Sequence, residues 1–194
     1  MKKFRDLPTP CLILDLDRFD ANLDKMSRFV TERGIALRPH SKTHKCAQIA
    51  GRQIARGAIG ICVATIAEAE VMARNEIRGL LITAELVGQP KLSRFVEVLK
   101  RAPDTMLVVD STEGASELQN VVQQAGMQTA VLIDLDIGQN RTGIKPGEPA
   151  RELADAIARS PNLRLKGICA YAGRVAVWVL QFQHRADHAV RYKD

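Results

Sequence analysis

The chain has 194 residues, 46% of them hydrophobic and only 4% aromatic, enough for one substantial core built from Ala, Val, Ile and Leu. The net charge of +6, from 28 basic and 22 acidic residues without a long basic run, suits an anionic small molecule rather than nucleic acid. Four cysteines without a CxxC, no apolar stretch after the basic start and none near the roughly 20 residues of a membrane span exclude a disulfide framework, a signal peptide and a membrane partner, so a cytoplasmic location is expected.

In chain order, Cys11–Leu14 reads as a strand, followed by a helix with Phe19, Leu23, Met26 and Val30 on one face. Gly34 ends that helix and Ile35–Leu37 is a short strand. Ile59–Ala64 is the next strand, and Thr65 with Glu68 forms a capping box for a helix. Strands follow at Gly79–Thr83, Met106–Val109, Ala130–Ile137 and Leu163–Ala170. The intervening helices carry Leu92, Phe95, Val96 and Leu99 after Pro90, then Leu118, Val121, Val122 and Ala125, then Leu153 and Ile157 after Pro149. Leaving aside Cys11–Leu14, six strand starts alternate with helices, which implies right-handed crossovers and a parallel sheet. Periodicity alone leaves an open doubly wound sheet and a closed barrel both possible. The absence of GxGxxG and Walker A motifs weighs against a nucleotide-binding open sheet.

The densest chemistry is Arg38-Pro39-His40-Ser41-Lys42-Thr43-His44-Lys45, directly after a strand, where a βα architecture places its functional groups. Neighbouring cations favour a neutral lysine, and a neutral amine attacks carbonyls, so Lys42 is a Schiff-base candidate; the plain alternative is a solvated basic loop. Arg141, between Gly138 and Gly143, is aimed at a ligand or bridges Asp134 or Asp136. Tyr171 follows the last strand as a stacking surface or an ordinary strand-end aromatic. His40 and His44 act on the proton balance or orient the loop. His184 and His188 sit four apart but lack a third ligand, so no metal site is expected there.

The segment RPHSKTHK resembles the signature of the D-threonine aldolase and D-serine dehydratase family, pyridoxal-phosphate (PLP) enzymes of the alanine-racemase type known as fold type III. TPCLILDLDRFDANL from Thr9, GICVATIAEAE from Gly60, DLDIGQNRTG from Asp134 and AYAG from Ala170 match the same family in order. The resemblance implies an α/β fold, a PLP-binding (β/α)8 TIM-type barrel, and a lyase acting on D-β-hydroxy-amino acids. It makes Lys42 the lysine that carries PLP and places Arg141, Tyr171, His40 and His44 about the cofactor. It also implies a homodimeric full-length parent with a divalent metal, Mn or Zn, over the substrate hydroxyl.

The match is expected to stop at Gly173, where AYAG continues into Arg174 rather than the family's histidine. Residues 1–173 are read as a partial barrel truncated after about six strands, and 174–194 as a divergent tail such as a shifted reading frame produces. On this reading the metal ligands and the β-rich C-terminal domain are absent and the fragment is inactive. A PLP carrier without catalysis, similar to the single-domain PLP-homeostasis proteins, and a non-catalytic remnant of the fold are the alternatives.

Overall fold

The computed structural model describes residues 6–173. Helix α1 (Leu16–Thr31) starts where the Asp15 carboxylate accepts the Arg18 N–H at 3.0 Å. Its expected apolar face forms, but no residue of α1 is buried, and Met26 is 48% exposed. The strand expected at Cys11–Leu14 is not present: that run is irregular and exposed, and it pairs with no strand among the described residues. An apolar run alone does not make a strand; it needs a neighbour to take its hydrogen bonds.

Ile35–Leu37 is extended but joins no regular ladder. Instead Ile59 N–H donates to Leu37 O, and Cys62 N–H to Pro39 O, both at 2.8 Å, with one parallel bridge between His40 and Cys62. Pro39, lacking an N–H, interrupts the pairing on its own strand. The six expected strands are therefore five, flanked by this extended segment. A short helix, α2 (Ala47–Ile54), follows the basic cluster and went unread in the sequence. Its buried Ala47 and Ala50, with Ile54 packed on the core, carry helical spacing.

The remaining elements alternate strictly. They are β1 (Ile61–Val63), α3 (Ile66–Arg74), β2 (Leu80–Ile82), α4 (Gln89–Arg101), β3 (Met106–Val109), α5 (Thr112–Gln124), β4 (Thr129–Asp134), α6 (Glu148–Ala158) and β5 (Leu163–Cys169). All pairings are parallel and the spatial order is β1-β2-β3-β4-β5. Helices α3 to α6 also pack in sequence order, each against the next. Sequential order with the helices side by side is the winding of a barrel; a doubly wound sheet reverses its strand order midway.

On the helix side, Ile61, Val63, Leu80, Ile82, Leu107, Val109, Val131 and Ile133 join Phe95, Leu99, Leu118, Leu153 and Ile157 in one core. The period of two sends Cys62, Leu81, Val108 and Leu132 to the opposite face, which becomes the barrel interior. β4 ends at Asp134, three residues short of the expected limit, because Ile144 N–H donates to Asp134 O and the chain turns back on itself. β5 carries a bulge: Val131 pairs with Leu165, and Leu132 with Gly167. Within the described residues β5 is an edge strand, and Leu165 and Ile168 are 40% and 60% exposed. No helix among the described residues is long and apolar enough to cross a membrane.

Candidate functional site

Consecutive parallel strands bring their carboxyl ends to one rim, and the expected residues gather there. Lys42 lies in a 3-10 turn, Ser41–Thr43, immediately after the His40–Cys62 bridge. Ser41 is fully buried and its hydroxyl donates to the Cys62 carbonyl at 3.2 Å, which pins the turn to β1.

His40 holds the turn from the other side. Its Nδ1 accepts the Lys42 backbone N–H at 3.2 Å, and its Nε2 lies 3.0 Å from the Thr83 hydroxyl, just beyond β2. That hydroxyl donates to the Val63 carbonyl at 3.1 Å, so Nε2 must be the donor toward Thr83. The network therefore assigns neutral His40 with its proton on Nε2. The imidazole pKa is lowered accordingly, first by burial and then by the charge of Lys42, while Glu68 opposes the shift. His44 accepts the Cys46 N–H on Nδ1 at 3.1 Å, and burial lowers its pKa while hydrogen bonds with Gln53 and Cys46 oppose the shift. Both histidines organise the turn.

The Lys42 amine lies 5.9 Å from the centroid of the Tyr171 ring, beyond the end of β5. The Arg141 guanidinium lies 5.1 Å from the same ring. Two cations from separate loops thus approach one aromatic ring. Neither Lys42 nor Arg141 forms an ion pair within the described residues, so the bridge from Arg141 to Asp134 or Asp136 is not made. Asp134 accepts instead from the Thr142 hydroxyl at 2.9 Å, and Asp136 takes the Lys145 amine at 2.5 Å. Asp136 also accepts the N–H groups of Gly138 and Asn140, and Lys145 leads these partners in holding its pKa down to about 2. These two carboxylates build the loop and do not engage the guanidinium.

Two carboxyl groups at the same rim were not singled out in the sequence, Glu85 after β2 and Asp110 after β3; they join Asp134 at the end of β4, which was read there only as a bridge partner for Arg141. Burial, then the charges of Asp110 and Asp134 and a side-chain hydrogen bond with Asp134, raise Glu85 to about 7. Cys169, at the end of β5, is pushed up to about 11 by burial and by Asp134. The available signal was position, since each acid ends or follows an apolar strand. A cavity of about 490 Å³, lined by Arg38, Asp104, Arg164 and Lys166 among others, opens at the amino ends of the strands, away from this rim. No group of three His, Cys, Asp or Glu side chains among the described residues could hold a metal ion. His184, His188 and the tail 174–194 lie outside those residues.

A family model described as alanine racemase, N-terminal domain, matches residues 14–188. The chain belongs to this family. These are fold type III, PLP-dependent enzymes, and relatives of this chain include aldolases and dehydratases. The chain is 38% identical over 167 residues to a D-threonine aldolase of an Arthrobacter species, covering 86% of this chain and 44% of that protein. It is 34% identical over 172 residues to the 3-hydroxy-D-aspartate aldolase of Paracoccus denitrificans, again covering 44% of the relative and 88% of this chain. The crystal structure of D-threonine aldolase from Filomicrobium marinum superposes with a TM-score of 0.83 at 41% identity, over 85% of this chain and 44% of that one. The chain thus spans less than half the length of each of these three proteins.

Proposed function

We propose that this chain forms the cofactor-bearing part of a PLP-dependent lyase of D-β-hydroxy-α-amino acids, with Lys42 as the lysine that carries the cofactor. The approach of Lys42 and Arg141 to the Tyr171 ring, at the carboxyl rim of a parallel sheet, carries the reading. The residues present fit the group. An amine without a carboxylate partner suits an aldehyde, and an aromatic face suits a pyridine ring. Arg141, in no ion pair among the described residues, suits the ring nitrogen or a substrate carboxylate, and Gln139 Oε1, in the same loop, is buried with no hydrogen-bond partner among them.

When bound, PLP supplies the electron sink that lets a bond at the substrate α-carbon break. The protein's own groups do the positioning. Ser41 and His40 fix the backbone leading into Lys42, so the amine is presented from a rigid turn. His40 has spent its lone pair on the Lys42 N–H and its proton on Thr83, so Nζ of Lys42 is the better placed group to take or return a proton. Arg141, a planar cation whose N–H groups only donate, suits an anionic or electron-rich partner.

The sequence relatives named above cleave D-threonine and 3-hydroxy-D-aspartate by their names, so a D-amino acid with a β-hydroxyl is the proposed substrate class. The test is incubation with PLP, borohydride reduction and peptide mapping. A pyridoxyl group on Lys42 alone is expected; a label on Lys45 or Lys100 with Lys42 unmodified overturns the assignment.

A further inference from the structure

We propose that Glu68 is a positioning residue for the lysine-bearing turn: it engages the second lysine, Lys45, and so leaves Lys42 as the one amine presented at the rim. This rests on the cofactor reading of Lys42. In the sequence Glu68 has the ordinary place of a capping-box acid, and part of that role is visible. The Thr65 hydroxyl accepts the Glu68 N–H at 3.2 Å, and Glu68 Oε2 accepts the Ala64 N–H at 2.8 Å.

Capping uses only one carboxylate oxygen. The other, Oε1, lies 3.4 Å from Nζ of Lys45, and the Glu68 side chain is only 10% exposed while that of Lys45 is 67% exposed. A nearly buried carboxylate on α3 therefore reaches a solvent-facing lysine on the neighbouring turn. Lys45 has a φ of +47°, unusual for a residue with a side chain, and its N–H donates to Ser41 O at 2.7 Å. The turn is thus tied at both ends, by Ser41 to β1 and by Lys45 to α3, with Lys42 between them.

The two lysines are three residues apart and chemically alike. The ion pair separates them, because an amine held against a carboxylate is turned away from an incoming aldehyde. Lys42 has no such partner among the described residues and faces Tyr171.

The substitution Glu68→Gln keeps a side-chain oxygen for the Ala64 N–H and removes the charge that holds Lys45. Lys45→Met breaks the same pair without touching α3. In the 194-residue chain, hydrogen exchange at the His44 and Lys45 amides, both bonded to Ser41 O, should be about threefold faster in either variant, the size of an exposed ion pair. After PLP and borohydride, the wild type should be labelled on Lys42 only and Glu68→Gln on Lys45 as well, a redistribution that loss of a helix cap would not cause. Unchanged exchange in these variants, or exclusive Lys42 labelling in Glu68→Gln, overturns the proposal. If Glu68→Gln does not fold, exchange in Lys45→Met decides. If the wild type takes no label at all, the cofactor reading of Lys42 falls, and the exchange result alone decides the role of Glu68.

Discussion

Gly143 closes the loop that carries Arg141, and replacing it with alanine tests whether that loop is as tightly determined as its hydrogen bonds imply. Gly143 has a φ of +96°, and a Cβ there would lie 2.6 Å from Asp136 N and 2.8 Å from Leu135 C. Both neighbours are backbone, so neither can swing aside as a side chain tip would. An L-residue in this conformation costs about 1–2 kcal/mol before any contact is counted. Relieving the contact means shifting the strand-like pair in which Ile144 N–H donates to Asp134 O at 2.9 Å and Asp136 N–H to Ile144 O at 3.0 Å. Losing those two bonds adds about 1 kcal/mol each, so Gly143→Ala should destabilise by about 3 kcal/mol. With a urea slope of roughly 2 kcal/mol/M, the unfolding midpoint falls by about 1.5 M. Gly126→Ala is the control: its φ is +64° but nothing lies within 4 Å of the added Cβ, so it reports backbone strain alone. Equal midpoints for the two variants would refute the argument that backbone packing, and not conformational preference, locks the Arg141 loop.

Arg141→Ala should weaken PLP binding by about tenfold, near 1.4 kcal/mol, and shift the bound cofactor's absorption; an unchanged titration would separate Arg141 from the cofactor. Glu85 has a folded pKa raised to about 7, so its contribution to stability is intact below the ordinary carboxyl value of 4.5 and is lost as pH rises through about 7. Glu85→Gln should therefore flatten that decline and be more stable than the parent at about pH 8, measured by urea midpoints. Asp136 behaves oppositely: its lowered pKa gives stability present above 3.8 and lost as pH falls toward about 2, and Lys145→Met should move acid unfolding to higher pH. Phe95 is fully buried, and Phe95→Ala should cost about 3–5 kcal/mol, lowering Tm by about 10 °C in a thermal melt.

Much of the architecture was legible locally. The strands at Met106–Val109 and Leu80–Ile82, and the amphipathic faces of α4, α5 and α6, follow from apolar spacing because each element must bury one side. The Thr65–Glu68 cap was legible for the same reason, being a contact between residues three apart. Helix α2 was obscured by the basic cluster before it and by Gly51 within it, a poor helix former. Cys11–Leu14 was misread because its apolar run says nothing about whether a strand lies beside it.

The candidate site divides in the same way. Lys42, Arg141 and Tyr171 could each be nominated from residue type and from their places after apolar runs. Sequence left open whether Arg141 pairs with an aspartate, which partner Lys45 takes, and which proton His40 carries. Each of these depends on a partner distant in the chain: Tyr171 for Arg141, Glu68 for Lys45 and Thr83 for His40. The sequential order of five parallel strands supplies those partners by bringing the carboxyl ends to one rim. Periodicity records which face of an element is buried, whereas strand order and register are set by contacts between elements, which no local pattern of residues encodes.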